Sequence, residues 1–247
     1  MEDIESALDL IDAMAGIEPG PALDGLAARR LADLPAEMAA RVLSELVGQA
    51  GDELHARKVV NACCRALLWG TPALSDERRI AIRAAAHALG LGTVVALFTG
   101  ASAALSADPD ARRIDPELAV LTLGHRKQFA RTETDPDRIA RFASDGDASV
   151  IRNLLINPRI TEALVVRIAA RRPASAVVLE EIARSQRWSS RRSVRRALAL
   201  NPYSPPALVN PLLPQLTSVD LEEVATMLVL HPAVRSAAQA ILVARRS

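Results

Sequence analysis

The sequence predicts an all-α protein, a stack of helix pairs behind an acidic helical N-terminal half. Three observations predict it. A block repeats: Ser149-Val150-Ile151-Arg152-Asn153-Leu154-Leu155-Ile156-Asn157-Pro158 returns 44 residues later as Ser193-Val194-Arg195-Arg196-Ala197-Leu198-Ala199-Leu200-Asn201-Pro202. The ungapped match runs on to Ala163-Leu164-Val165 against Ala207-Leu208-Val209, and nine of the 17 aligned positions from Ser149 are identical. A short helix–turn–helix unit that recurs buries its apolar face against the next copy, so recurrence implies stacking. Apolar residues also fall at helical spacing, and no segment sustains the period-two alternation of a strand. Finally, half of the residues are hydrophobic while aromatics supply only 2%. A core of Ala, Leu, Val and Ile suits closely packed helices better than sheets, which favour β-branched and aromatic residues.

The elements follow in order. Ile4, Leu8 and Ile11 mark a first helix over 2–14, stopped by Gly16 and Pro19-Gly20-Pro21. Leu23, Leu26, Ala27 and Leu31 line a second over 22–33. Pro35 stands near the start of a third, striped by Met38, Val42, Leu43 and Leu46. Gly51-Asp52 separates it from a fourth that ends near Trp69, before Gly70-Thr71-Pro72. Ser75-Asp76-Glu77 reads as an N-cap with acids in the first turn, where free N–H groups and the helix dipole favour negative charge. That helix carries Ile80, Ile82, Ala85, Ala86 and Leu89 up to Gly90, and Val94, Val95, Leu97 and Phe98 form a short apolar segment after it.

Gly100 to Asp110 is rich in small residues and ends in Asp-Pro-Asp. The boundary placed there divides an acidic N-terminal helical domain, 1–103, from a C-terminal helical repeat domain, 113–247. Beyond it the helices are shorter. Asp135-Pro136 opens one, Asp145-Gly146-Asp147 precedes the first repeat copy, and Thr161 caps the helix of Leu164, Val165 and Ile168. Arg172-Pro173 ends that helix, and Val177, Val178, Leu179 and Ile182 mark the next. Ser189 or Ser190 begins the second copy, Ser204-Pro205 reads as a cap followed by proline, and His231-Pro232 precedes a closing helix of Val234, Ala238, Ile241 and Leu242. Within each Asn-Pro pair, proline ends the helix by removing a donor and restricting the residue before it, and asparagine tolerates the unusual backbone angles of a helix terminus. Asn157 and Asn201 are therefore structural.

The pattern Asp-x-x-Ser-Val-x-x-x-Leu-x-x-Asn-Pro, with Asn201-Pro202-Tyr203-Ser204-Pro205-Pro206-Ala207-Leu208, resembles the leucine-rich repeat variant and, more loosely, HEAT-type repeats, over about residues 133–245. That resemblance implies an α-helical solenoid, a right-handed superhelical stack of helix pairs, of a kind found in bacterial repeat proteins. Leucine-rich repeat variant proteins can carry a Cys-rich iron–sulfur segment ahead of the repeats. The two cysteines here, adjacent Cys63 and Cys64, are too few and wrongly spaced for it, so no cofactor is expected.

Charge is polarised along the chain. Residues 1–55 hold 12 acids against 3 bases, a net of −9, while the basic segment 151–200 holds 11 arginines against Glu162, Glu180 and Glu181, a net of +8. Arg191, Arg192, Arg195 and Arg196 share one helical face opposite Val194, Ala197 and Leu198. Trp188 lies just before them, with Arg171, Arg172 and Arg187 on neighbouring turns, and these eight residues are the expected partner-binding site. An acidic protein partner is the expected occupant, or self-association through the acidic N-terminal half of a second copy. Nucleic acid is the alternative for the same ridge. HEAT-like DNA glycosylases show that such solenoids hold DNA, but they need a catalytic acid beside aromatic residues, and single-strand binding needs stacking platforms that this sequence mostly lacks.

Other chemistry is not expected. His55, His87, His125 and His231 sit at no metal-ligand spacing, and Gly90-Leu91-Gly92 lacks the rest of a phosphate-binding loop. Ser189, Ser190 and Ser193 read as caps, with no histidine nearby. No catalytic residue, metal or small-molecule substrate is therefore expected. Cys63 and Cys64 read as buried structural thiols. The acidic start, Met1-Glu2-Asp3-Ile4-Glu5-Ser6, lacks the features of a signal peptide, and no apolar run approaches a membrane span, so the cytoplasm is the expected compartment.

Overall fold

All regular structure among the described residues is helical. The computed structural model describes residues 6–51, 53–69, 71–98, 100–107 and 115–246. Ile4, Asp52, Gly70 and the Asp108-Pro109-Asp110 break of the sequence reading lie outside them. The helices are α1 Ala7–Met14, α2 Pro21–Asp33, α3 Ala36–Gln49, α4 Leu54–Trp69, α5 Asp76–Ala88 and α6 Gly92–Leu97. Then follow α7 Pro116–Ala119, α8 Leu123–Thr132, α9 Pro136–Phe142, α10 Ala148–Leu155, α11 Glu162–Ala170, α12 Ala176–Arg184, α13 Gln186–Ser189 and α14 Arg192–Ala199. After α15, Pro206–Val209, comes a 3-10 turn, Asn210–Gln215, and then α16 Ser218–Thr226 and α17 Pro232–Ala244. The described residues hold no strand, only an isolated bridge between Thr71 and Leu74.

Short polar side chains set most helix starts by accepting one of the first free N–H groups. Ser6 and Asp9 form a reciprocal capping box at α1, Ser75 accepts from Arg78 at α5, and Thr161 accepts from Leu164 at α11. His231 does the same through Nδ1 to Ala233 at α17. Two expected caps differ. Ser189 and Ser190 end α13, and α14 starts after Arg191. The buried Ser204 hydroxyl meets no hydrogen-bond partner, and α15 opens at Pro206.

The chain divides into two compact units, one of Met1–Ser102 with Pro206–Ser247 and one of Ala103–Pro205. This differs from the sequence division at 103–113, because the apolar faces of the last helices are covered by the first ones. In the first unit α17 packs on α3, α6 and the 3-10 turn, and the turn packs on α4. Asn210 reaches back 114 residues to donate its amide to Ala96 O at 2.8 Å. Leu43, Leu46, Val59, Leu67, Ile82, Leu213, Leu216, Val234 and Ile241 are buried there. Cys63 and Cys64 lie in the same core as free thiols, and burial pushes Cys63 up to about 12. Both stay protonated and unreactive at neutral pH.

The second unit contains the first repeat copy and most of the second. α8 packs on α10, and α11 packs on α14. Each pair is closed by the asparagine that follows its later helix. Asn157 donates its amide to Ala130 O and Glu133 O at 2.9 and 3.0 Å and accepts from Arg159 N at 2.8 Å. Asn201 donates to Ala169 O and Arg171 O at 2.7 and 3.0 Å and accepts from Tyr203 N at 3.0 Å. Both asparagines are buried, and no described non-glycine residue has a positive φ. The asparagines are thus required for their amides and not for tolerance of left-handed backbone, a correction to the reason read from sequence. Each side chain makes three of its four possible hydrogen bonds, both donors toward an earlier helix end and one acceptor toward its own turn. Replacing Asn201 by Ala removes three hydrogen bonds and leaves two carbonyls without a donor, an expected cost on the order of 3 kcal/mol. Asn201→Asp is expected to cost more, because a carboxylate faces those carbonyls with no proton to give. Chemical denaturation of both variants checks the order, and an aspartate variant as stable as wild type would refute the role of the amide.

Candidate interaction site

The eight residues of the sequence-predicted ridge separate into two groups. Four arginines spend their guanidinium groups on carbonyls at helix C-termini. Arg171 Nη1 donates to Ser144 O just past α9 at 3.0 Å, and Arg172 Nη2 donates to Leu200 O at the end of α14 at 2.6 Å. Arg187 Nη1 donates to Asn157 O just past α10 at 3.4 Å, and Arg195 Nη1 donates to Ser189 O and Ser190 O at the end of α13 at 3.1 and 2.8 Å. The last carbonyls of a helix lack partners and carry the negative end of its dipole, so a permanently charged group with five donors suits them. Trp188 is buried and donates Nε1–H to Leu155 O at 2.8 Å, with the Arg187 guanidinium 4.4 Å from its ring centre.

Trp188 and Arg195 therefore do not belong to an exposed ridge, a correction to the sequence reading. On α14 the buried stripe is Val194, Arg195, Leu198 and Ala199, one position round from the stripe read from sequence. Sequence alone did not locate the carbonyls that draw Arg195 inward.

Arg191, Arg192 and Arg196 remain exposed on α14. The Arg191 guanidinium stands 3.9 Å from the Glu162 carboxylate, which also accepts from the Ser193 hydroxyl. Their setting is electrostatically unusual. In the first copy the residue before the helix is Asp147, which accepts from Ser149 N at 2.8 Å. Its counterpart 44 residues on is Arg191, which makes no side-chain cap, and the first turn of α14 holds no acid. Positive side chains thus crowd the positive end of a helix dipole, where anions are favoured.

Two ion pairs were not legible as sites in the sequence. Arg152 on α10 grips both carboxylate oxygens of Glu181 on α12, with Nε at 2.8 Å and Nη2 at 2.5 Å. The Arg152 guanidinium holds Glu181 below the usual carboxylate range, against the upward push of burial. A depressed folded value means that the pair stabilises above the pH where an unfolded glutamate ionises, about 4.3, and loses that contribution as pH falls through the folded value. Arg152→Met is expected to raise the Glu181 midpoint in a carboxyl-detected NMR titration, and an unchanged midpoint would contradict the pairing. Deeper in the unit, Arg126 Nη1 donates to Asp145 Oδ2 at 2.7 Å, and the Asp145 side chain is fully buried. Asp145 Oδ1 also accepts from Asp147 N at 2.9 Å.

A cleft of about 450 Å³ opens between α9 and α11, lined by Ala140, Ala143, Ser144, Arg167, Ile168, Ala170 and Arg171. Among the described residues no three or more of His, Cys, Asp and Glu come together as a metal site, and no helix is long and apolar enough to cross a membrane. No family model, curated protein or solved structure matches the chain.

Proposed function

We propose that the chain is a non-catalytic helical-repeat scaffold that holds an acidic protein partner on the exposed arginines of α14, Arg191, Arg192 and Arg196. The observation that carries this reading is the basic first turn of α14. A helix N-terminus ordinarily gathers acids, and its counterpart in the first copy does so with Asp147. Positive charge kept at this exposed helix start breaks a local rule, as expected of a face that meets a carboxylate-bearing partner. Arginine pairs carboxylates through two parallel hydrogen bonds, which gives geometric selection of a partner as well as attraction. In the same reading the two helix sets of the Ala103–Pro205 unit form consecutive turns of a right-handed superhelical stack of the leucine-rich repeat variant or HEAT-like kind. The matching threonine caps of α8 and α11 and the two asparagine closures support that arrangement.

An acidic protein is favoured over nucleic acid because Trp188, the aromatic that precedes the arginines in the chain, is buried against α10 and offers no base-stacking surface. The acidic helices of a second copy are one candidate partner, since Asp12, Glu18, Asp33, Glu37, Glu45 and Glu53 are exposed. The test is capture from host lysate by the wild-type chain and by a variant carrying Arg191→Glu, Arg192→Glu and Arg196→Glu, with and without nuclease. Sedimentation of both chains at two salt concentrations identifies a second copy as the partner.

A further inference from the structure

The cleft between α9 and α11 has a composition that the α14 face does not share. Arg167 of α11 and Arg171, the residue that ends that helix, both line it. Ala140, Ala143, Ala170 and Ile168 make its walls small and apolar. Arg171 is committed through Nη1 to Ser144 O, itself part of the cleft lining, which anchors its guanidinium there and leaves its other donors. Arg167 is exposed, and among the described residues its side chain has no hydrogen bond or ion pair. Arg171 is held below the usual guanidinium range first by burial and next by the neighbouring charge of Arg167, with Asp145 acting in the opposite sense. Two like charges thus stand close together, and the nearby carboxylate of Asp145 is already engaged by Arg126.

We infer that this cleft binds a carboxylate carried on a short aliphatic stem. The carboxylate would lie between Arg167 and the remaining donors of Arg171, and the stem would lie against the alanines and Ile168. Inorganic phosphate fits less well, because it has no stem to lie against Ala140, Ala143, Ala170 and Ile168. The same chemistry arises from a free dicarboxylate or from a glutamate side chain within a bound segment. The inference uses none of the exposed α14 arginines and does not depend on the reading of that face.

The experiment follows the arginine Nε–Hε signals of the full chain by NMR during titration with glutarate, with a blocked Ala-Ala-Glu-Ala-Ala peptide, or with inorganic phosphate. Glutarate or the peptide is expected to shift the Arg167 and Arg171 signals together, and whichever saturates at lower concentration identifies the source. Arg167→Gln is expected to raise the half-saturation concentration about tenfold or more, and Arg167→Lys by less, because lysine keeps the charge without the fork. Arg171 also supports Ser144 O, so the exposed Arg167 is the informative position and its variants are expected to melt as wild type does. The inference is overturned if neither carboxylate moves the two signals, if Arg167→Gln leaves the titration unchanged, or if phosphate binds as tightly as the carboxylates.

Discussion

Asp145→Ala is expected to destabilise the Ala103–Pro205 unit by about 3–5 kcal/mol, the cost of removing one partner from a buried ion pair. The carboxylate is fully buried and bridges Arg126 of α8 to the backbone of Asp147, the residue that caps α10. Without it the Arg126 guanidinium keeps its charge in a place water does not reach, and the Asp147 N–H loses its acceptor. For a unit of this size each kcal/mol moves the melting temperature by about 4–8 °C, so the change is large in calorimetry. The double variant Arg126→Leu with Asp145→Val is expected to recover part of the loss, because the unpaired buried charge is gone while the Asp147 N–H still lacks its acceptor. If the single variant melts like wild type, the pair does not hold α8 to the α10 entry.

This pair shows where sequence reading stops. The fourth residue after the capping threonine is Arg126 in α8 and Val165 in α11, and Asp145 is matched 44 residues on by Ser189. The pair belongs to one copy only, and its members stand 19 residues apart with nothing local to link them. The helical class was legible because periodicity, caps and Asn-Pro breaks act within a few residues. Thr161, Ser75 and the Asn-Pro turns sit at helix ends for local reasons. What the arginines do was not legible, because Arg172 and Arg187 meet carbonyls 28 and 30 residues away. The last helices show the same limit from the other side. Pro206 to Ala244 carries repeat-like turns, yet its apolar faces are covered by α3, α4 and α6, a pairing that only long-range packing decides.

Charge reversal on α14 carries the second large effect. Exchanging Arg191, Arg192 and Arg196 for glutamate turns attraction for a carboxylate-bearing surface into repulsion at three positions. Like charges brought together across an interface cost several kcal/mol, so partner affinity is expected to fall by about 100-fold or more. The fold is expected to survive. The three side chains are exposed, the buried stripe of α14 is untouched, and acids in its first turn complement the helix dipole better than the arginines do. Circular dichroism of the variant should match wild type, and its melting should fall only modestly, because Arg191→Glu faces the Glu162 carboxylate. Loss of binding together with loss of structure would remove the assignment of this face. Arg195→Glu provides the contrast. It removes the donor to Ser189 O and Ser190 O and places a carboxylate in the buried stripe, so stability is expected to fall.

The most direct test of the scaffold reading is quantitative capture from the native host with nuclease present. The wild-type chain and the triple Arg191→Glu, Arg192→Glu, Arg196→Glu variant serve as parallel baits at physiological salt, and mass spectrometry identifies what each retains. The account predicts an acidic protein, or the chain itself, that persists through nuclease treatment, is lost from the variant, and binds wild type again when purified. Retention of the same protein by both baits, or disappearance of the whole captured set on nuclease treatment, would contradict it.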